Sequence, residues 1–96
     1  MATTAATDYV AECFWPGVTP ADLTALDERA AASAAEASRA GSDVSYLGSL
    51  LMRDDEVVLC RFHGVEADVR SVAKSAAIPF DRILEVSGSA WNLPSA

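Results

Sequence analysis

Alternating apolar and polar positions dominate residues 44–63, and this pattern predicts two antiparallel strands joined at Asp54 and Asp55. If these two residues form the turn, Arg53 pairs with Glu56 and all other cross-strand partners follow. One predicted face is almost wholly apolar and pairs Leu51 with Val58, Ser49 with Cys60 and Leu47 with Phe62. The other changes from apolar to ionisable along its length and pairs Met52 with Val57, Leu50 with Leu59, Gly48 with Arg61 and Tyr46 with His63.

Two further strands and two helices are predicted around this hairpin. Residues 9–14 alternate as a strand, which Pro16 and Gly17 end. Thr19, Pro20 and Asp22 have the pattern of a helix start, with an N-cap, a proline at the first position and an acid in the first turn. The apolar stripe of this helix is Leu23, Leu26, Ala30, Ala34 and Ala37. A second helix is predicted over 65–77 and a last strand over 80–86.

The resulting order of strand, helix, strand, strand, helix, strand predicts a ferredoxin-like α+β fold. In such a βαββαβ fold a four-stranded antiparallel sheet carries both helices on one face. The predicted domain spans residues 8–88, between a flexible N-terminus (1–7) and a C-terminal tail (89–96). On the uncovered face we expect Glu12, Arg61 and His63, joined by Ile83 and Glu85 of the last strand. A face that is half apolar predicts a homodimer in which two sheets pack together as a dimeric α/β-barrel.

Charge and cysteine usage limit the classes of partner. The chain has 96 residues and a net charge of −7, and its basic residues are scattered among acids. Electrostatics therefore oppose binding to nucleic acid or to an anionic membrane. Cys13 and Cys60 lie within apolar strand patterns, which favours buried thiols over a disulfide. Neither a secretory signal nor a membrane-spanning run is visible, so the expected location is the cytoplasm.

The ionisable end of the hairpin carries the candidate chemistry. His63 is the only histidine of the chain, and an unperturbed imidazole titrates near neutral pH. If Tyr46 faces His63 across the two strands, the pair could act as a general acid and base on a phenol or an enol. The alternatives are a hydrogen-bonded histidine at a strand end and a tyrosine that only packs its ring.

The other polar residues of this face allow two interpretations. Glu12, Arg61 and Glu85 could form an ion-pair cluster at the dimer seam. Alternatively, Glu12 and His63 could be ligands for Ni²⁺ or a similar divalent metal, completed by water or by the second subunit. Trp15 and Trp91 could wall a pocket or anchor the dimer, or they could only cap a core or interface. The candidate ligand-binding residues are therefore Glu12, Phe14, Trp15, Arg61 and Glu85.

Three segments of the chain resemble a family of small proteins of actinobacterial type. The segments are YVAECFWPG followed by VTPADL, then VSYLGSLLMRDDEVVLCRFHG, and finally AAIPFDRILEV. The family is an uncharacterised-domain family, some of whose members are described as nickel-binding, and the similarity covers about residues 9–86. The resemblance implies a ferredoxin-like dimeric α/β-barrel and Ni²⁺ as a possible ligand. It does not assign a chemistry, because proteins of this wider class have many functions.

Two functions of different classes follow from these patterns. The first is a cytoplasmic homodimeric binding protein that holds a divalent metal or a small ligand between its sheets. The second is a cofactor-independent enzyme (a cyclase, an isomerase or a monooxygenase) that acts on an aromatic or polyketide-like molecule. In the second, His63 and Tyr46 would be the catalytic pair.

Overall fold

Six elements follow one another in the predicted order in the structure, a computed structural model that describes residues 6–87. The tail predicted over 89–96, with Trp91 and Leu93, lies outside the described residues, as does most of the predicted flexible N-terminus. The elements are β1 (Thr7–Phe14), α1 (Pro20–Arg39), β2 (Val44–Met52), β3 (Val57–Gly64), α2 (Glu66–Ser75) and β4 (Arg82–Val86).

The four strands form one antiparallel sheet in the order β2-β3-β1-β4. The two central strands, β3 and β1, are not adjacent in sequence, because each helix returns the chain across the same face of the sheet. This arrangement confirms the predicted ferredoxin-like α+β fold. Within the described residues, neither helix is long and apolar enough to cross a membrane.

The start of α1 is fixed by the residues that the sequence indicated. The Thr19 hydroxyl accepts a hydrogen bond from the Asp22 backbone N–H at 3.1 Å, and the Asp22 carboxylate accepts one from the Thr19 N–H at 2.9 Å. This reciprocal capping box satisfies two backbone donors that have no partner within the helix, and Pro20 supplies a compatible φ at the first position.

The core lies between the helices and one face of the sheet. Leu26, Ala30 and Ala34 of α1 are buried against it, as predicted, because small side chains let this long helix approach the sheet closely. Cys13 and Cys60 are free thiols in this core. The remaining buried members of the core are Tyr9, Ala11, Val44, Val58, Phe62, Val69, Val72, Ala73, Ala76 and Ile78.

The β2–β3 hairpin has the predicted register only at its turn end. Met52 pairs with Val57 and the pairing runs as predicted back to Gly48, which lies opposite Arg61. Between Gly48 and Tyr46 the register then shifts by one residue. Gly48 has φ +114°, a conformation that residues with a side chain rarely adopt, and this allows the bulge at Leu47.

The bulge overturns the predicted partners beyond Gly48. Tyr46, not Leu47, pairs with Phe62, and Ser45, not Tyr46, pairs with His63. Because a one-residue shift exchanges the faces of a strand, Tyr46 lies on the side covered by the helices.

The face of β4 also differs from the prediction. Ile83 pairs with Ala11 and Glu85 with Tyr9, so both lie on the helix-covered side, where Ile83 packs against the core. Glu85 remains exposed there because it sits on an edge strand. The prediction of Ile83 and Glu85 on the uncovered face is therefore wrong, and Leu84 is among the residues that take their place.

Gly64 ends β3 where only hydrogen fits on the α-carbon. A Cβ there would meet the Asp43 carbonyl oxygen and lie 2.8 Å from the Val44 Cα. Both atoms belong to the backbone, and the Asp43 oxygen also accepts a hydrogen bond from the Val65 N–H at 3.1 Å. They therefore cannot move away without breaking this hydrogen bond, which holds the connection between β3 and α2.

We expect Gly64→Ala to lower the free energy of unfolding by about 2 kcal/mol or more, because the clash is with backbone. The matched control is Gly17→Ala, where a Cβ meets nothing within 4 Å and only the positive φ of 76° is unfavourable. That control should cost about 1 kcal/mol. Urea unfolding of both variants measures the difference, and equal losses would contradict the steric account.

Candidate functional site

The sheet face that carries no helix, here called the open face, arranges its side chains in four rows across the strands. The strand register aligns residues of β2, β3, β1 and β4 in that order. The first row is Ser45, His63, Asp8 and Val86; the second is Gly48, Arg61, Val10 and Leu84; the third is Leu50, Leu59, Glu12 and Arg82; the fourth is Met52, Val57 and Phe14.

A carboxylate, an imidazole and a guanidinium meet at one end of the open face. Asp8 and His63 are cross-strand partners, and the Nδ1 atom of His63 lies 2.8 Å from Oδ1 of Asp8. Arg61, two residues before His63 on the same face of β3, places Nη2 3.5 Å from Oδ2 of Asp8. We call these three residues the Asp8 cluster. All three side chains are partly exposed, so the cluster is accessible to a molecule on this face.

The two neighbours of Asp8 keep its carboxylate ionised. The hydrogen bond from His63 and the positive charge of Arg61 lower the pKa of Asp8 below its ordinary value of 3.8, although burial opposes them. An ionised carboxylate can only accept hydrogen bonds. Nδ1 of His63 is therefore the donor in this contact.

A second ion pair lies further along the open face. Arg82 Nε donates to Glu12 Oε1 at 2.7 Å, and this interaction raises the pKa of Arg82. Glu12 and Arg82 are cross-strand partners on β1 and β4. Their charges cancel locally, and on an exposed pair the contribution to stability is small.

The far end of the open face is apolar and exposed. Phe14 is 60% exposed, Met52 42% and Leu50 40%. Leu47, the bulged residue of β2, is also exposed. These large apolar side chains lie on or beside one surface, and such a cluster on a small protein marks an interaction site more often than an ordinary solvated surface.

The predicted partnership of Tyr46 with His63 is wrong. The Tyr46 hydroxyl donates a hydrogen bond to Asp27 of α1 at 2.5 Å, and its ring packs against Phe62 with the centroids 5.1 Å apart. Tyr46 therefore joins β2 to α1 on the covered side of the sheet. It is not available as an acid or base beside His63.

The remaining candidates from the sequence are dispersed. Trp15 packs against the helix-side core, Glu85 lies on the helix side, and Phe14 is three rows away from His63. Glu12 and His63 share the open face, but Glu12 is four residues along β1 from the partner of His63, about 13 Å. One chain does not bring these two residues together as ligands of a single ion.

Metal-binding side chains do not converge elsewhere in the described part of the chain. Among residues 6–87, no group of three or more His, Cys, Asp or Glu side chains is positioned to hold a metal ion. Residues of one chain alone therefore do not form a nickel site, and His63 and Glu12, the ligands that the sequence suggested, would each need further ligands from water or from the second subunit.

Asp8 is the residue of the site that the sequence analysis missed, because β1 begins at Thr7 and not at Tyr9. Alternation along β1 places Asp8 on the same face as Glu12, and this signal was present in the sequence. Gly48 within a strand pattern was likewise a signal for the bulge. No sequence signal indicated the contact between Tyr46 and Asp27, because it joins two elements in space.

The fold and the open face define a ferredoxin-like α+β protein whose uncovered sheet presents a carboxylate–imidazole–guanidinium cluster beside an apolar surface. A scan against protein-family models finds no match, and a search of curated proteins finds no relative of significant similarity. Among solved structures, the crystal structure of SCO4226 from Streptomyces coelicolor A3(2) is similar, with a TM-score of 0.67 and 18% sequence identity. The similarity covers 88% of this chain and 100% of that chain, and it shows a shared fold.

We expect Tyr46→Phe to lower the free energy of unfolding by about 1 kcal/mol at pH 7, because the hydrogen bond to Asp27 is lost. Burial and the Asp27 carboxylate raise the pKa of Tyr46, so the folded protein keeps this proton at a pH where an unfolded tyrosine, with its ordinary value of 10.0, loses it. The contribution of Tyr46 is therefore complete below pH 10 and falls above it. Urea unfolding of both proteins at pH 7 and pH 11 should show the difference shrinking, and a constant difference would contradict the assignment.

Proposed function

We propose that the protein is a homodimeric binding protein in which two copies pack their open faces together and enclose a small ligand beside the Asp8 cluster. The observation that supports this most directly is the exposed apolar end of the open face, with Phe14, Leu50 and Met52. Burying apolar surface at about 25 cal/mol per Å² is the principal driving force of such an association.

The charges of the open face favour a second copy as the partner. The two carboxylates of Asp8 and Glu12 are balanced by the two guanidiniums of Arg61 and Arg82. The whole chain, in contrast, carries a net charge of −7. Two copies would therefore repel each other in most relative orientations. The repulsion is weaker when their open faces meet, because the charges of this face balance one another.

The two ends of the open face would serve different purposes in the dimer. The apolar end supplies contact area between the sheets, and the polar end supplies groups that orient a ligand, an arrangement typical of small-molecule sites. The fixed charge of Arg61 suits an oxygen acceptor of a small molecule, and Nε2 of His63, whose Nδ1 donates to Asp8, suits a hydrogen-bond donor. A reducing compartment such as the cytoplasm agrees with the two free thiols of the core.

We expect sedimentation equilibrium at micromolar concentration to give twice the mass of one chain. Leu50→Glu should weaken the association by about tenfold or more, since the substitution occurs twice in a symmetric interface and buries a charge. Ala32→Glu introduces the same charge on an exposed position of α1 and should leave the mass unchanged. A monomeric wild type, or equal weakening by both variants, would reject the proposed interface.

A divalent metal, with nickel as the first choice, is the second candidate ligand. The contact of Nδ1 with Asp8 favours it, because histidines that bind metals through one nitrogen usually donate the other N–H to a carboxylate. One chain offers a single such imidazole, so the other ligands would come from the second copy and from water. The resemblance to a family with nickel-binding members agrees with this candidate.

Calorimetric titration with Ni²⁺ tests the metal directly, on untagged protein. We expect wild-type protein to bind with about one ion per dimer, and His63→Gln to lose at least about tenfold in affinity, because an amide is a poor nickel ligand. Absence of metal-dependent heat in the wild type would reject a metal as the ligand, and a small organic molecule would then be the candidate.

A further inference from the structure

The hydrogen bond between Asp8 and His63 determines which nitrogen of the imidazole can react. Because the ionised carboxylate of Asp8 only accepts hydrogen bonds, Nδ1 of His63 carries the proton in the neutral ring. Nε2 then has the free electron pair. Among the side-chain hydrogen bonds of residues 6–87, the His63 ring takes part in the one with Asp8.

We propose that Asp8 and His63 form a general-base dyad on the open face, with Nε2 of His63 as the base and Asp8 as the positioning residue. The substrate class is a small apolar carbonyl compound with an acidic C–H next to the carbonyl group. The inference rests on the proposed homodimer, because His63 is half exposed in one chain and a second sheet is needed to exclude water from it.

The residues around Nε2 select this substrate class. Arg61, two residues from His63 on the same face, carries a permanent positive charge where an enolate oxygen would develop its negative charge. Leu59, the neighbour of Arg61 on the same face of β3, and Leu84, beyond the buried Val10 in the row of Arg61, provide apolar surface. The thiols of Cys13 and Cys60, which could serve as nucleophiles, are buried on the other side of the sheet.

The proposed step is a balanced proton transfer. The C–H bond of the substrate breaks, its proton moves to Nε2, and its electron pair forms a carbon–carbon double bond while the carbonyl π pair moves to the oxygen. Asp8 stabilises the imidazolium that results, as a carboxylate does in a hydrolase triad. The imidazolium then exchanges this proton with solvent, and delivery of a solvent proton from Nε2 to the α-carbon regenerates the ketone and the imidazole and completes an exchange. In a β,γ-unsaturated ketone the proton can instead be delivered to the γ-carbon of the dienolate, which completes an isomerisation.

The test follows deuterium exchange into 2-tetralone, an aromatic ketone, by proton NMR in D₂O at neutral pH. We expect wild-type protein to accelerate loss of the benzylic α-proton signal over buffer. His63→Gln should reduce the protein-catalysed rate by about 100-fold or more, the usual contribution of general-base catalysis. Ser45→Ala, on the same row of the open face, is the matched control and should leave the rate unchanged.

The role of Asp8 has a separate spectroscopic readout. The chain has one histidine, so the ¹⁵N resonances of an untagged sample report His63 without further assignment. We expect the neutral ring to carry its proton on Nδ1 in the wild type. In Asp8→Asn, whose amide can either accept or donate, we expect a mixture of tautomers and a rate lowered by about tenfold.

The outcomes separate this inference from the proposed function when sedimentation is measured on the same samples. A dimer whose exchange rate depends on His63 supports the dyad. A dimer with equal exchange rates in wild type and His63→Gln overturns the dyad and leaves the proposed binding function unchanged. A monomer overturns both. A wild-type ring protonated on Nε2 overturns the role of Asp8 even if a His63 variant does not fold.

Discussion

The conformation of Gly48 is the constraint that separates the chemistry of the two sheet faces. Its φ of +114° accommodates one extra residue in β2, and every side chain before it changes face. Tyr46 thereby joins α1 through Asp27, and Ser45 becomes the neighbour of His63. Without this bulge the tyrosine would lie beside the imidazole, and α1 would lose a polar contact with β2.

Burial explains why the two faces serve different purposes. On the helix side, small residues such as Ala11 and Ala30 let two helices cover the central strands, and the part-buried hydroxyl of Tyr46 donates its hydrogen bond to Asp27. On the open face the charged groups of Asp8 and Glu12 keep partial access to water, which avoids the cost of burying unpaired charge. A second copy could cover this face without isolating a charge, since each carboxylate already has a cationic partner.

The features that depend on neighbours in the sequence were predictable, and those that depend on tertiary contacts were not. The start of α1 follows from the capping residues Thr19 and Asp22. The pairing of residues near the hairpin turn follows from counting positions outward from Asp54 and Asp55. Glu85 was assigned to the wrong face because the short edge strand has apolar residues on both faces, Ile83 on one and Leu84 and Val86 on the other, so its pattern does not decide which face is covered. Asp8 was overlooked because small polar residues precede it, although the alternation that places Glu12 on the open face continues back to Asp8.

The position of the bulge also bears on how copies of this protein can assemble. β2 is an edge strand, and a regular edge offers a row of backbone donors and acceptors to which another sheet could add without limit. The irregularity at Leu47 interrupts that row, and the opposite edge, β4, has only five residues. Growth of a continuous sheet into a fibre is therefore opposed at both margins, which agrees with the closed dimer proposed above.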